Sequence, residues 1–363
     1  MSNAQSLRRM AARLTGIQTI RPPGAPGAVI VMALLPQANR PMTFAGCNLD
    51  ATQAFQACVG EAAEFLAQSD PRAATAMPVP DDAITVSEVS AAQQPQQWLR
   101  AMTFPEGRLV SLPAASCCYL PESAHLDIST GCAAGRSIEE ALLHAMCEII
   151  ERDAARRWWG GSHAARGIDA SHPALMEAIA WLTHARRAVC DRDVILLDIG
   201  GDAVIPVIAA ASFLKNGKGF VLATAAHPDI TRAATGAVRE LVQMEFGLLL
   251  ATIKRDRAGP FGLGQTDLRH LRRAETVDPG FPALKSLAPT VWCHDQPHAQ
   301  TDPAVIARRL IDRGHQVFAA RLSSDPFLPV VRMLVTHMPI AMRANTLTYN
   351  DGLWNGVSAT ELY

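Results

Sequence analysis

Residues Ser129 to Arg152 read STGCAAGRSIEEALLHAMCEIIER, and this stretch decides the fold. Its first part, 129–135, consists of small residues, so the sequence predicts a loop whose backbone N–H groups can approach an anion closely. Ser137 fits the N-cap of a following helix, and Glu140 fits the third position of a capping box. We therefore predict a small-residue loop that leads into a long helix ending near Trp158.

The predicted helix separates its residues into two faces. At about 100° per residue, the apolar face consists of Leu142, Ala145, Met146, Ile149 and Ile150. The opposite face carries Glu140, Glu148 and Glu151 within roughly 80° of one another. A solvated surface is the ordinary interpretation of such an acidic stripe. Here the preceding loop suits phosphates and the arrangement recurs elsewhere in the chain, so both features favour a functional site.

The order of strand, small-residue turn and helix occurs in two further parts of the sequence. Residues 44–65 contain Gly46 and then Glu61 and Glu64, three positions apart. Residues 225–250 contain a second such turn and helix, which carries Glu240 and Gln243 at the same spacing. Pseudo-symmetric packing of the three units is expected to bring three polar helix faces toward one cavity.

Composition restricts the kind of protein that this chain can be. It has 363 residues, of which 49% are hydrophobic and 18% charged, so we expect an ordered globular protein with a large core. The formal net charge of −1 argues against nucleic acid or a membrane as the main partner. No signal peptide or membrane-length apolar run occurs, and a cytoplasmic location is the default expectation. The eight cysteines form no CxxC pair, which does not support a zinc site.

The remaining sequence favours an α/β fold of the α+β type, with helices packed on mainly antiparallel sheets. Short connections and the hairpin signal at 215–218 motivate the antiparallel pairing. Residues 75–125 are predicted to be an irregular connector with an edge hairpin, and residues 254–290 a basic, mobile excursion. The predicted helices are 5–15, 174–187 and 303–313. The predicted strands are 28–35, 109–112, 117–120, 194–199, 204–211, 219–224, 316–320 and 330–336.

Convergent carboxylates require a counter-charge. Four to six carboxylates in one small cavity cannot all stay ionised without cations. Oxygen ligands without His or Cys spacing favour Mg²⁺, and a small-residue loop beside them suits Mg²⁺ that carries a polyphosphate. The sequence has no GxxxxGK[ST] loop and no convincing GxGxxG, so it supports neither a standard NTPase nor a Rossmann site.

Three groups of residues together resemble the YcaO family. The first is S-x-G-x-A-x-G at 129–135 with Glu140, His144 and E-x-x-E-R at 148–152. The second is Ala226-His227-Pro228-Asp229 with E-L-x-Q at 240–243, and the third is PVVRMLVTHMP at 329–339. The resemblance covers most of residues 44–339. It implies a YcaO-like catalytic domain at 41–340, after a helix and strand lead-in at 1–40 and before a tail at 341–363.

The resemblance implies an ATP-dependent enzyme that activates a peptide backbone amide. In that family a nucleophile attacks the amide carbonyl, ATP phosphorylates the resulting oxygen, and this oxygen leaves as phosphate. A Cys, Ser or Thr side chain as nucleophile gives an azoline, whereas external sulfide gives a thioamide. ATP and Mg²⁺ are the implied cofactors.

The resemblance also implies a set of site residues, without assigning a catalytic residue. By motif position the Mg²⁺ ions are held by Glu61, Glu64, Glu148 and Glu151. The nucleotide is lined by Ala133, Arg136, Glu140, Arg152, Glu240 and Gln243. His227 is expected to organise its turn rather than to touch the substrate.

Departures from the family pattern leave two other hypotheses open. Gly236 stands where many members carry an arginine that reaches phosphate, with Arg232 as a candidate substitute, and Phe65 stands where an arginine usually follows the first E-x-x-E. The tail lacks the Pro-x-Pro-x-Pro ending of azoline-forming members. The second hypothesis is therefore a catalytically degenerate scaffold that binds a nucleotide or a partner. A Mg²⁺-dependent phosphohydrolase is the third, although it does not explain the loop-helix signature.

Partners are expected because the chain shows no pattern for a peptide-binding domain of its own. We expect a precursor peptide as substrate, together with a separate leader-binding, E1-like protein or a TfuA-like protein. The apolar and basic stripe on residues 7–14 and the basic segment 254–273 are predicted docking surfaces, and a homodimer is expected.

Overall fold

A computed structural model describes residues 2–37, 41–70, 75–76, 81–84, 97–120, 128–189, 191–289 and 301–338 of the chain. The helices of this described part are α1 (Asn3–Ala11), α2 (Ala51–Gln68), α3 (Ile138–Trp159), α4 (Pro173–Arg186), α5 (Ile230–Ala258), α6 (Gln265–Thr276) and α7 (Pro303–Ile311). Its strands are β1 (Thr15–Ile20), β2 (Val29–Leu35), β3 (Met42–Asn48), β4 (Thr75–Ala76), β5 (Gln97–Thr103), β6 (Leu109–Pro113), β7 (Cys132–Ala134), β8 (Ala165–Gly167), β9 (Arg192–Asp198), β10 (Val207–Leu214), β11 (Val221–Ala226), β12 (Ser286–Leu287), β13 (Val317–Arg321) and β14 (Val330–Val335).

The strands form three sheets. The first sheet has the order β1-β2-β3, and the second has the order β4-β5-β13-β14-β7 with β6 paired to β5. The third sheet has the order β11-β10-β9-β8-β12. Neighbouring strands are antiparallel except for the short pair β8 and β12, which is parallel. The predicted α/β fold with mainly antiparallel sheets is therefore confirmed.

Three helices alternate with the three sheets. Helix α2 packs on β2 and β3 of the first sheet and on β7 of the second. Helix α3 packs on β7 and β14 of the second sheet and on β10 and β11 of the third. Helix α5 packs on β10 and β11 of the third sheet and on β3 of the first, which closes the ring. Each of these helices follows its own strand, β3, β7 or β11, so the three predicted units are observed.

Strands that lie between two helices are buried on both faces. In β10, Val207 and Ala209 belong to the core around α3, whereas Ile208 and Ala210 belong to the core around α5. Because successive side chains of a strand point to opposite faces, a strand covered on both sides needs a continuous apolar run. This explains why β2 and β10 lack the polar alternation of a half-exposed strand.

Helix α3 is the most deeply buried of the three. The five residues of its predicted apolar face are all buried. Burial continues along the helix to Trp158 and Trp159, which are 0% and 1% exposed. The extra burial arises because a sheet covers α3 on each side, so a single apolar stripe is not sufficient.

Three short predictions were wrong. Within the predicted loop 129–135, Cys132–Ala134 forms strand β7, which pairs with β14. Residues 117–120 do not form a strand, because the 3-10 turn at Ala114–Ser116 ends the extended run that precedes them. At the N-terminus, the helix ends at Ala11 and residues Thr15–Ile20 form a strand, so the predicted helix 5–15 is too long.

The predicted mobile excursion at 254–290 was also wrong. Helix α5 continues to Ala258, and residues Gln265–Thr276 form α6. Leu271 and Ala274 of α6 share a buried cluster with Leu248 of α5 and with β11, which holds α6 on the molecule. The apolar side of α1 is likewise occupied, since Met10 packs against α2 and the first sheet. The tail 341–363 lies outside the described residues.

Candidate functional site

The ring of helices brings five carboxylates together: Glu61 and Glu64 from α2, Glu148 and Glu151 from α3, and Glu240 from α5. We call these residues the carboxylate cluster. Burial and, next, the charge of Glu240 raise the pKa of Glu151 to about 8. Burial also raises the pKa of Glu64 well above its ordinary value, with Glu148 and Glu61 as additional causes. Because carboxylates of different helices raise one another's pKa, the three polar helix faces meet, as expected from pseudo-symmetric packing of the three units.

Each pair of carboxylates is fixed by two different strands. The first member accepts from the strand segment of its own unit, as Glu148 Oε2 does from the Gly131 N–H at 3.0 Å. The second member accepts from the next unit, as Glu64 Oε1 does from the Ala134 N–H at 2.8 Å. Glu151 follows the same rule, because Thr224 Oγ1 of β11 donates to it at 2.6 Å. The cluster therefore joins the three units as well as lining one site.

Glu61 is the most exposed residue of the cluster, but its carboxylate lies near those of Glu240 and Glu148. Its Oε2 accepts from the Ala45 N–H of its own strand β3 at 3.4 Å, which repeats the arrangement of Glu148. Burial of the carboxylate and the charges of Glu240 and Glu148 raise its pKa above the ordinary value. The α2 unit thus occupies a position equivalent to that of the α3 unit.

The start of α3 places Arg136 and Glu140 beside the cluster. Ser137 caps the helix by accepting from the Glu140 N–H at 3.2 Å. The Glu140 carboxylate accepts from the Arg136 backbone N–H at 2.7 Å and from the Arg136 guanidinium at 2.9 Å. The predicted capping box would have used the backbone N–H of the N-cap residue Ser137 instead, one residue later. Burial raises the pKa of Glu140, but the Arg136 bonds outweigh it and the pKa lies below its ordinary value. The Ala133 side chain is buried in the core, so only the main chain of this residue of β7 is available to a ligand.

Arg152 and Gln243 complete the predicted set. Arg152 Nη2 lies 3.8 Å from Glu148 Oε1. Burial raises the pKa of Glu151 and of Glu240, and the charge of Arg152 partly offsets this effect for both. Gln243 lies one turn after Glu240 on α5 and is half-buried. Arg232, considered as a phosphate contact, has a 70% exposed side chain 4.0 Å from Asp229 at the start of α5.

His227 organises its turn, as predicted. Its Nδ1 accepts from the Asp229 N–H at 2.9 Å, and Asp229 in turn caps α5 by accepting from the Thr231 N–H. Burial and, next, the charge of Arg232 lower the pKa of His227 to about 4. The imidazole is therefore neutral at pH 7, and its hydrogen bond holds the turn that precedes α5.

The donor set of the cluster fits Mg²⁺. Its ligands are carboxylate oxygens, and their raised pKa values show a need for positive charge. Mg²⁺ is usually held by one or two carboxylates together with phosphate oxygens and waters. Within the described residues, no three His, Cys, Asp or Glu side chains are placed as a complete metal site.

Sequence reasoning missed the contribution of α6. Thr266, Arg269, His270 and Arg273 line a cavity together with Glu240 at one end of the cluster. Their spacing of three, four and seven residues indicates one face of a helix, with Leu271 and Ala274 on the other. This periodicity was present in the segment that was predicted as a mobile excursion.

Comparison with known proteins gives a family for this arrangement. The family model for YcaO cyclodehydratase, described as ATP- and Mg²⁺-binding, matches residues 70–339. No curated protein matches the chain. Among the described residues, no helix has the length and apolarity needed to cross a membrane.

Several solved structures share the fold. YcaO from Methanopyrus kandleri bound with AMPPCP and Mg²⁺ matches with a TM-score of 0.66 and 18% identity, over 93% of this chain and 91% of that one. A heterocyclase in complex with substrate and cofactor matches with a TM-score of 0.70 and 20% identity. The match covers 93% of this chain and 52% of the heterocyclase. A chain of the E. coli microcin synthetase McbBCD complex matches with a TM-score of 0.61 and 15% identity, over 91% of this chain and 95% of that one.

Proposed function

This chain belongs to the YcaO family, and on that premise we propose that it uses ATP and Mg²⁺ to activate a peptide backbone amide. The substrate is a ribosomally made precursor peptide. The product is an azoline when a side chain of the peptide is the nucleophile, or a thioamide when sulfide is. Its expected compartment is the cytoplasm, where ATP is available.

The carboxylate cluster is the observation that carries this proposal. Burial raises the pKa of Glu64 and of Glu151, and the charges of neighbouring carboxylates add to this effect, so the carboxylates repel one another. A binding site for cations relieves this repulsion, whereas a purely structural role gains nothing from it. In this proposal Glu61, Glu64, Glu148 and Glu151 hold Mg²⁺.

The residues around the cluster are assigned to the nucleotide. Arg136 and Arg152 supply donors for phosphate oxygens, and Glu140 orients Arg136 through their paired contacts. The main chain at Ala133 and the polar side chains of Glu240 and Gln243 line the remaining sides. When bound, ATP would supply the phosphoryl group that converts an amide oxygen into a leaving group, while Mg²⁺ would neutralise the charge that develops.

A partner protein is part of the proposal. One structure with the same fold is the E. coli microcin synthetase McbBCD complex with pro-MccB17 bound, and this chain spans 52% of another, a heterocyclase. We propose that this chain likewise acts with a separate leader-binding or TfuA-like protein, as a homodimer.

The alternative is a catalytically degenerate scaffold that binds a nucleotide or a partner. It is favoured by Gly236, which stands at the position of a family arginine and packs against β11, where an added Cβ would lie 3.0 Å from the Ala225 Cβ. The convergence of all five carboxylates favours turnover instead.

Peptide-dependent ATP consumption tests the proposal against this alternative. The purified chain is incubated with Mg²⁺, ATP and a Cys-, Ser- and Thr-containing precursor peptide encoded beside its gene, with and without the neighbouring partner protein. We expect phosphate release that requires the peptide, and mass spectrometry that shows loss of water or exchange of oxygen for sulfur. Mg²⁺-dependent ATP binding without any peptide-dependent phosphate release or mass change would support the scaffold and contradict the enzyme.

A further inference from the structure

A groove of about 470 Å³ lies between α1, the second half of α2 and the segment 322–330, which leads from β13 into β14. Its floor is apolar and includes Met10, Leu66, Leu328 and Val330. The volume lies within the range of about 300–1,000 Å³ that is usual for binding pockets. The groove can therefore take several side chains of a bound peptide segment.

The groove lies on a different side of α2 from the carboxylate cluster. Ala63, Leu66 and Ala67 line it, and their spacing of three and four residues places them on one face of the helix. At about 100° per residue, the middle of this face lies roughly 140° around the helix from Glu61 and Glu64. The groove is therefore separate from the site proposed for the nucleotide and Mg²⁺.

Two arginines at the rim of the groove supply positive charge. Arg9 belongs to α1 and Arg13 follows the end of this helix, and both residues are exposed. Within the part of the chain that the structure describes, neither side chain forms an ion pair or a hydrogen bond. A guanidinium keeps its proton in proteins, so both charges are available to a ligand at every physiological pH.

Two acidic residues also line the groove, but both are used within the chain. Asp325 Oδ1 accepts from the Ser6 hydroxyl at 3.0 Å and from the Phe327 N–H at 2.8 Å, so it fastens the segment 322–330 to α1. Asp70, just beyond the end of α2, is likewise engaged in an interaction. The charges that remain for a ligand are those of the two arginines, and the groove therefore selects an acidic one.

We propose that the groove binds a segment of the partner protein that combines acidic and apolar side chains. The apolar side chains pack on the floor, and the carboxylates accept hydrogen bonds from Arg9 and Arg13 at the rim. A partner fits better than the reacting part of the substrate, because an occupant on this side of α2 leaves the carboxylate cluster open. The inference rests on the proposed function for the existence of the partner, but docking itself is independent of ATP turnover.

Calorimetric titration of the full chain with the purified partner protein encoded beside its gene tests the inference. We expect Arg9→Gln and Arg13→Gln each to weaken the complex roughly fivefold, the upper range for an exposed charge pair, and the double variant to weaken it about tenfold or more. Added salt should weaken the wild-type complex more than that of the double variant, because salt screens exposed charges. Arg8→Gln is the matched control and should change the dissociation constant less than twofold, because Arg8 is exposed on α1 but does not line the groove.

Several outcomes would overturn the inference. They are wild-type affinity in the double variant, an equal loss in Arg8→Gln, and no complex between the wild-type chain and the partner. A double variant that keeps the partner but loses affinity for the precursor peptide, or changes its oligomeric state in sedimentation, would assign the groove to the substrate or to a second copy. Both arginines are exposed, so the variants should fold, and thermal unfolding verifies this. Partner binding that is lost in the double variant, without peptide-dependent turnover in the wild type, would contradict only the proposed function.

Discussion

At the scale of single residues, the carboxylate cluster shows how the same side chain serves both structure and site. Glu151 accepts from Thr224 of the next unit, and Glu148 accepts from Gly131 of its own. Glu151 is thus oriented by a neutral donor, while burial and the charge of Glu240 raise its pKa. Arg152 offsets part of this effect, and the repulsion that is left suits a ligand that brings its own cations.

Neutralising either α3 carboxylate should separate activity from stability. We expect Glu148→Gln and Glu151→Gln to abolish ATP turnover with little change in melting temperature, because each change removes repulsion and leaves the apolar face of α3 intact. Turnover and thermal unfolding are measured on the same preparations. Glu139→Gln, on an exposed residue of the first turn of α3, is the control and should retain wild-type turnover. Wild-type turnover in either cluster variant would contradict the metal-ligand role.

Two half-buried histidines predict a loss of stability in acid. The pKa values of His227 and His270 are lowered to about 4, whereas an unfolded histidine titrates near 6.5. Both therefore contribute stability that is fully present above pH 6.5 and is lost as the pH falls toward 4, by at most about 3 kcal/mol each.

Urea unfolding between pH 7 and pH 4 measures this effect. His227→Gln and His270→Gln should each lose less stability over this range than the wild type does. His184→Gln, on an exposed residue of α4, should follow the wild-type curve. Parallel curves for all four proteins would show that other groups control acid unfolding.

At the scale of elements, the close packing of α3 against β7 and β14 sets the position of the cluster. Gly131 has a φ of +85°, and its N–H holds Glu148. A Cβ at this position would lie 2.8 Å from the Met333 carbonyl oxygen and 2.8 Å from Ile149 Cδ1. Only glycine lets the helix and the two strands approach this closely.

Gly131→Ala is accordingly expected to destabilise the protein by about 2–4 kcal/mol, from backbone strain together with the two contacts. Gly107→Ala is a matched control, because Gly107 has a φ of +76° but no atom within 4 Å of its added Cβ. It should cost only about 1 kcal/mol. Chemical denaturation measures both. Equal losses in the two variants would show that backbone strain alone, rather than packing at β7, determines the cost.

At the scale of the whole molecule, the three units form one ring in which helices α2, α3 and α5 alternate with the three sheets. The apolar residues of both predicted docking surfaces are used within the chain, because α1 packs on α2, and α6 packs on α5 and β11. The expectation of a separate peptide-binding partner does not depend on those surfaces. It stays a prediction.

The partner prediction is that the purified chain alone binds its cognate precursor peptide weakly. Calorimetry should detect binding only after the leader-binding or TfuA-like protein is added. A dissociation constant in the micromolar range or below for the chain by itself would contradict this. A scrambled peptide of the same composition is the control for non-specific binding.

Much of the fold follows from local patterns in the sequence. Apolar periodicity determined α3 and its buried face, and the small residues and N-caps determined where the three units begin. The carboxylates of Glu61, Glu148 and Glu240 were predictable because each recurs at a similar distance after a turn. Helical spacing of Glu148 and Glu151 is a local property, since it depends only on residues within two turns.

Only the tertiary structure decided which strand fixes each carboxylate and what lies beyond Glu240. Strand β7 is a strand because β14, some 200 residues later, supplies its hydrogen bonds, and no local signal reports that pairing. Glu64 and Glu151 bond to strands of other units for the same reason. Helix α6 has a clear amphipathic period, but its cationic face became part of the site only through packing against α5 and β11. Such contacts depend on residues distant in sequence, and local periodicity contains no information about them.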